Sequence, residues 1–505
     1  DASDLVGNNA TQATSTASTS GTYVTVLDLE VTTTTETTSQ GTQLGSVLEG
    51  NYENSYYGQT LAISDNGFDV IGVSSTYPFY DSNKHGSTLN NFGYFIWYTW
   101  NNITDNWDSR TAGNQFPVTA SGETLQTANG IADHENANFG KHVAISGDGN
   151  FIAVGQDNFI PDGGRVYMYR KFKDTIRFVG IITDSSAISF GGALDLNQDG
   201  SRLIVADPSG SRVHTYDMDI TFGNAEVDTG YDTWTYLDYS YSLNATFSDD
   251  HGDGYATSVE ISGDGNSIII GYPTANSGRG AVRVFTYDAS SPADSNMASA
   301  NYGPVGWKIK GQNPIYGVST TSSIGLNAHS LAINNDGTVI AFGSAGDNAI
   351  WVYQYDDSTS TWVSKGTPDG DYLFHNSLFS GGDGLGTNVS LDNTGNLVSF
   401  GFKDANDLTG NAKNGAVAVF EYLPTTTTKV IYQPGAVSVE VGPIGWRLVG
   451  GDLHFQSSAA QNSDGEFGAL ASAISGDGTI VIGGDPHYVS NLAAYTKRGN
   501  MMVYE

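Results

Sequence analysis

The stretch VAISGDGNFIAVG, residues 143 to 155, decides the fold, because six near copies of it recur along the chain. They are LAISDNGFDVIGV (61 to 73), LDLNQDGSRLIVA (194 to 206), VEISGDGNSIIIG (259 to 271), LAINNDGTVIAFG (331 to 343), VSLDNTGNLVSFG (389 to 401) and SAISGDGTIVIGG (472 to 484). Each places two apolar runs around a turn that ends on glycine: Gly67, Gly149, Gly200, Gly265, Gly337, Gly395 and Gly478. Asp-Gly and Asn-Gly accept the positive φ angles of a tight turn, and flanking runs rich in Val, Ile and Ala suit strands buried on both faces. Each copy therefore reads as a β-hairpin.

A third strand of alternating apolar and polar residues follows each hairpin, as in GYFIWYTW from Gly93, RVHTYD from Arg212, AVRVFTY from Ala281 and MMVYE from Met501. A fourth element often carries a tryptophan: Trp107, Trp234, Trp307, Trp362 and Trp446, with RFVGII around Phe178 as a copy without one. Four strands per unit, repeated seven times, predict an all-β chain folded as a seven-bladed β-propeller. The turn glycines lie 51 to 83 residues apart, so the strand core is constant and the insertions fall in loops.

The seventh copy runs out before a fourth strand, since the chain stops at Glu505 just after MMVYE. TQLGSVLEG, residues 42 to 50, resembles the fourth element of the sixth copy without its tryptophan and is expected to complete blade seven. Such a velcro strand joins the two ends of the ring and removes an exposed sheet edge. Residues 42–505 then form the propeller, and residues 1–41 form an arm.

That arm is rich in Thr and Ser, and between its two Thr clusters lies TYVTVLDLEV, residues 22 to 31, which alternates as a strand does. The ring does not need it. It is expected to serve assembly, either packing on its own ring or adding to a sheet edge of a neighbouring copy, through Tyr23, Val24, Val26, Leu27, Leu29 and Val31.

Composition removes several functions. Among 505 residues, 21 are Lys or Arg and 54 are Asp or Glu, for a net charge of −33. A chain so acidic lacks the basic face needed to bind nucleic acid or an anionic membrane. No stretch approaches the roughly 20 apolar residues that span a bilayer. Cysteine is absent, which excludes disulfides, a thiol nucleophile and thiolate metal sites. Only 15 % of residues are charged, so the surface is expected to be dominated by Ser, Thr, Asn and Gly, as in secreted proteins. The start at Asp1 reads as a mature form whose signal peptide has been removed. Asn9, Asn102, Asn244 and Asn388 head Asn-x-Ser/Thr sequons. Asn102 and Asn244 are expected to be exposed beyond strands, whereas Asn388 enters the first strand of blade six and is expected to be buried.

The unit G-x-x-[VL]-x-[IL]-S-x-[DN]-G-x-x-[IV]-x-[VI]-G, then G-x-V-x-V-[YF]-x-Y, then W-x-x-[LI]-x-G, resembles the propeller repeats of large secreted surface proteins of microbes and algae. It is also similar to the FG-GAP repeats of integrin α-subunits. The resemblance covers residues 42 to 505 and implies an extracellular adhesion or structural role. The integrin-type calcium loop, with three closely spaced carboxylates, is missing: the turns SGDGN, NQDGS, NNDGT and SGDGT each carry a single carboxylate. The better calcium candidate is DDHGDG, with Asp249, Asp250 and Asp253. The turns also approach the sialidase Asp-box but lack its closing Thr-Trp.

No catalytic constellation emerges. A glycosidase needs two carboxylates facing each other across a cleft, and nothing in the spacing singles out such a pair. The nine His show no metal-binding spacing; His134, His251, His329, His375 and His454 fall in or near loops leading to first strands. The recurring Trp residues are expected to pack between blades, and the off-register Tyr52, Tyr56, Tyr57, Tyr239 and Tyr241 are expected at a contact surface. The expected function is an extracellular self-assembling structural or adhesion glycoprotein without catalysis or cofactor, whose partners are copies of itself and attached or bound glycans. The alternatives are a carbohydrate-binding propeller, as lectin or glycan-processing enzyme, and a calcium-dependent adhesin.

Overall fold

The computed structural model describes residues 41–50, 55–74, 79–80, 88–89, 93–110, 138–158, 163–172, 175–222, 226–228, 232–234, 237–248, 254–296, 298–311, 314–367, 373–375, 384–402, 415–424, 445–453, 467–468, 470–488 and 499–505. The arm strand, Asn9, Asp249, Asp250 and Asp253 lie outside them.

Seven antiparallel sheets of four principal strands follow one another in chain order. Blade one is built from Thr60–Ile63, Asp69–Ser74, Tyr94–Asn101 and Asn106–Ser109; blade two from Phe139–Ile145, Phe151–Gln156, Arg165–Phe172 and Thr175–Ile182. Blade three uses Ala193–Leu196, Arg202–Asp207, Arg212–Phe222 and Leu237–Ser248, and blade four Ser258–Ile261, Ser267–Tyr272, Ala281–Tyr287 and Trp307–Ile309. Blades five and six repeat the order with Leu331–Ile333, Val339–Ser344, Ala349–Asp356 and Thr361–Ser364, then Ser390–Leu391, Leu397–Phe402, Ala416–Tyr422 and Trp446–Leu453. Blade seven has Ser472–Ile474, Val481–Asp485 and Asn500–Tyr504, and its outer strand is Leu48–Glu49 from the other end of the chain.

The closing strand is the one expected. Leu48 stands opposite Met501 and Glu49 opposite Asn500. Further out, the Leu44 N–H donates to the Val503 carbonyl at 2.8 Å, and Thr42 and Glu505 exchange both backbone hydrogen bonds at 3.1 and 2.9 Å. The first described residues of the propeller are thus tied to its last.

The second strands are buried along almost their whole length, as their unbroken apolar runs require. Third strands differ from expectation at some polar positions: Gln354 is exposed as alternation predicts, but Arg283 is 2 % exposed, its guanidinium 5.9 Å from the Tyr272 ring and 5.6 Å from that of Tyr302 in its own blade. Trp234 is also misplaced by the repeat. It belongs to a separate ribbon, Glu226–Asp228 paired with Asp232–Trp234, and the outer strand of blade three starts beyond it.

The hairpin turn is not one in which both central residues take positive φ. Glycine alone does, at 65° to 76° in all seven copies, and its N–H closes a turn onto the residue three before it, as from Gly149 to Ser146 at 2.8 Å. This is a type I turn followed by a left-handed residue, which leaves Asp148 in an ordinary conformation. Glycine is required twice over. A Cβ on Gly395 would stand 2.5 Å from the Cβ of Val339 in the preceding blade. Gly395→Ala is therefore expected to cost roughly 1–3 kcal/mol in urea unfolding, whereas Gly180→Ala, where a Cβ meets nothing within 4 Å, should stay within roughly 0.5 kcal/mol.

Candidate functional site

The seven turns meet around the axis. Ahead of each glycine by three stands a buried polar residue, Ser64, Ser146, Asn197, Ser262, Asn334, Asp392 or Ser475, whose side chain holds the loop. Ser146 Oγ donates to Asp148 Oδ1 at 2.6 Å and accepts from the Phe151 N–H at 2.9 Å; Ser262 and Ser475 repeat both bonds. A loop fixed in this way presents its next peptide to the neighbouring blade. The Asp65 N–H donates to Gly147 O, Asp148 to Gln198, Gln198 to Gly263, Asp264 to Asn335, Asn335 to Asn393, Asn393 to Gly476, and Asp477 back to Asp65, all between 2.8 and 3.2 Å. Seven backbone hydrogen bonds form an unbroken circle.

Side chains cross the axis at three levels. At the turn level the residues following the seven buried polar positions are Asp65, Gly147, Gln198, Gly263, Asn335, Asn393 and Gly476, so glycines make room for longer polar neighbours. Asn393 Nδ2 of blade six donates to Asp65 Oδ2 of blade one at 2.7 Å, and Gln198 of blade three adds a second amide. Burial raises the Asp65 pKa above its ordinary value, and the two amides restrain the rise.

Two residues before the buried polar position, the copies carry Ala62, Ala144, Asp195, Glu260, Ala332, Ser390 and Ala473. Two carboxyls stand in a column of small residues. Asp195 accepts the N–H groups of Leu196 and, from blade four, Ile261 at 2.8 and 3.0 Å. It also shares a hydrogen bond with Glu260. Burial is the largest cause of the rise in both carboxyls, pushing Asp195 up to about 6 and Glu260 well above the usual range. Both are only half-buried by area because they border the narrow lumen, yet the ring surrounds them. Glu260 keeps the proton and donates it to Asp195.

At the third level, His142 of blade two and His329 before blade five stack with ring centroids 4.4 Å apart and planes 20° from parallel. Burial lowers both pKa values, His142 well below 6.5 and His329 to about 4, with Lys141 adding to the effect.

Farther from the axis, cations and indoles fasten blades to their neighbours at five of the joints. Lys310 of blade four donates to Gly337 O in the turn of blade five at 2.7 Å and lies 5.2 Å from the Tyr355 ring. Lys365 does the same one blade on, to Gly395 O at 2.7 Å with Tyr422 at 4.9 Å, and burial brings its pKa down to about 8. Arg202 binds Gly265 O at 2.8 Å beneath Tyr287, and Lys171 pairs with the buried Asp69 at 2.8 Å. Indole N–H groups point the other way: Trp107 to Leu44 O, Trp307 to Asn244 Oδ1, Trp362 to Lys310 O and Trp446 to Lys365 O, at 2.6 to 3.0 Å. Those four tryptophans are buried between blades as expected.

Other expected sites move. Asn244 does not follow the fourth strand of blade three but sits inside it, at a bulge, where its amide bonds Asp217, Thr215 and Trp307. Its amide nitrogen is committed to Asp217, so it cannot present a free acceptor. Asn388 is fully buried, as expected, and bonds Gly468 O and the Gly401 N–H. Asn102 is exposed in the turn between the outer strands of blade one. Tyr57 is not a surface residue; it is fully buried and stacks on Tyr94. Tyr56 is half-buried beside His487, while Tyr239 packs on Phe151 and Tyr241 donates to Gly200 O. An aromatic outside the repeat register can still fill a joint between blades. His375 lies in a short strand paired with Ala349 and Ile350, and His134, His251, His454 and Tyr52 fall outside the described residues. Among the described residues no three His, Asp or Glu side chains converge as a metal site would require.

No protein-family model matches this chain, and no curated protein does. Solved structures that resemble it include a chain of the mitotic checkpoint complex, 13 % identical with a TM-score of 0.42, covering 98 % of this chain and 99 % of that one. A putative 6-phosphogluconolactonase from Bacteroides fragilis is 12 % identical with a TM-score of 0.41, covering 78 % and 87 %. The Cps50 (Swd1) β-propeller domain from Myceliophteria thermophila is 9 % identical with a TM-score of 0.42, covering 91 % and 98 %. The fold rests on the sheet pairing above.

The carboxyl pair generates a pH dependence. Raised carboxyl values mean that the folded chain holds protons the unfolded chain would release. The pair's stabilisation is complete below the ordinary carboxylate range and is lost as pH rises through the raised values. Glutamine donates an N–H at every pH, so Glu260→Gln is expected to be more stable than the parent by on the order of 1–2 kcal/mol at about pH 8, and indistinguishable from it near about pH 4. Urea unfolding at both pH values checks this.

Proposed function

We propose that this chain is an extracellular structural and adhesion glycoprotein that assembles with copies of itself through its N-terminal arm. The observation that carries the reading is the closing strand. Because Leu48–Glu49 and the residues before it complete blade seven, that blade is finished without residues 1–41, and TYVTVLDLEV is a segment of strand-like alternation that the ring does not need. A segment with that alternation, carrying Tyr23, Val24, Val26, Leu27, Leu29 and Val31, is suited to adding onto a sheet edge of another copy, where main-chain bonds give affinity and alternate side chains give register.

Two further features support a scaffold over an enzyme. The protein's own side chains span the axis at three levels, so the lumen is not an open funnel of the kind in which catalytic groups would meet a substrate. Asp195 and Glu260 touch directly, which leaves no room between them for the sugar and water that paired carboxylates act on in glycoside hydrolysis. Tyr255 in a loop and Tyr316 in a short strand paired with the third strand of blade four, both about half exposed, favour glycan contact at that rim as a second reading.

The test is a pair of truncations. Deleting residues 1–41 leaves the Thr42 to Glu505 bonds in place and should give a folded monomer that melts with the full chain's ring. Deleting residues 1–50 strips the edge of blade seven and the acceptor of Trp107, and should give an aggregating protein. Polymers formed unchanged by the first truncation would refute the arm's role.

The exposed turn at Asn102 is the attachment point expected to carry a glycan in a secretory host. Intact mass should fall by one glycan for Asn102→Gln and stay at the parent's glycoform for Asn244→Gln and Asn388→Gln.

A further inference from the structure

Blades two and five stand as far apart as two blades of a seven-membered ring can, yet His142 and His329 touch face to face across the axis. His142 is 3 % exposed, and its ring nitrogens face the backbone of Leu194 and Ala328 without a hydrogen bond of full geometry. We propose that this stack is an acid-sensitive latch: charging either imidazole parts the rings and releases blade two from blade five.

The surroundings make the charge costly. On the first strand of blade two, Lys141 precedes His142 and is near enough to add a positive charge against both rings. From blade three come the backbone of Leu194 and, one residue on, Asp195, whose carboxyl is engaged by the Leu196 and Ile261 N–H groups and by Glu260 of blade four. Blade four also turns Ser258 Oγ to the Ala328 carbonyl, and blade six binds the His329 carbonyl through the Val389 N–H; both are neutral. Among the described residues, the leading influences on the stack include no carboxylate to receive an imidazolium. A first proton therefore creates a buried cation without a partner, and a second sets two like charges face to face.

The direction of the pH effect follows. Both imidazoles are held below their ordinary value by burial, His329 at about 4, so the stack is neutral and intact at neutral pH. Its stabilisation is full above the ordinary histidine range and is lost as pH falls toward the folded values. The carboxyl pair has the opposite trend, so acid loosens the histidine level while it tightens the carboxyl level below.

The test compares acid unfolding of the full chain with that of the double variant His142→Phe, His329→Phe, which keeps two stacked rings that cannot charge. The unfolding midpoint of the double variant is expected to lie lower by about half a pH unit or more. Coincident midpoints would overturn the latch. Should the variant fail to fold, imidazole C2-hydrogen exchange on the wild-type chain decides. Both rings should exchange slowly at neutral pH with midpoints below the ordinary value, and midpoints near about 6.5 would overturn the proposal.

Discussion

The circle of seven backbone hydrogen bonds joining one turn to the next is the constraint on which the molecule depends. Each bond requires a peptide presented at a fixed height and angle, and the loop can supply that only if its glycine takes positive φ and its buried Ser, Asn or Asp ties the loop to the strand behind it. Because the glycine lies against the preceding blade, side-chain packing and backbone bonding demand the same residue at the same place. A single such bond contributes about 0.5–1.5 kcal/mol net, but a closed circle cannot lose one member without shifting its neighbours.

The chain is strongly acidic, and four of its cations sit where blades join. Lys171, Arg202, Lys310 and Lys365 reach across joints to an aspartate or a turn carbonyl, three of them to the carbonyl of the turn glycine. They neutralise backbone dipoles that the ring of turns directs outward, and aromatic faces shield them. The low charge content of this protein thus coexists with a well-connected polar framework.

Much of the architecture was legible in the sequence because hairpins announce themselves through local patterns. Period-two runs, Asp-Gly turns and the absent last strand all lie within short windows, and they located the closing segment correctly. What was not legible depends on residues brought together from different copies. The turn-to-turn circle, the crossing of His142 to His329 and the pairing of Asp195 with Glu260 connect positions far apart in the chain. A signal for the last was nonetheless present: aligned copies show two carboxyls in a column otherwise filled by Ala and Ser. Tyr57 was misread because departure from the repeat suggested the surface, whereas an irregular joint between blades also needs an irregular residue; Asn244 was misread because the outer strand of blade three runs past it to Ser248 instead of ending before it. Trp234 was misread because the outer strand of blade three begins after an inserted ribbon.

Side chains that cross the axis and a closing strand on blade seven join the two ends of the ring. If the circle of turns is the keystone, its amides must open only when the whole ring opens. Native-state hydrogen exchange of the backbone N–H groups of Asp65, Asp148, Gln198, Asp264, Asn335, Asn393 and Asp477 measures this directly. The account predicts that all seven exchange slowly, with one common opening free energy equal to that of global unfolding. Fast or unequal exchange, at rates typical of surface turns, would contradict it.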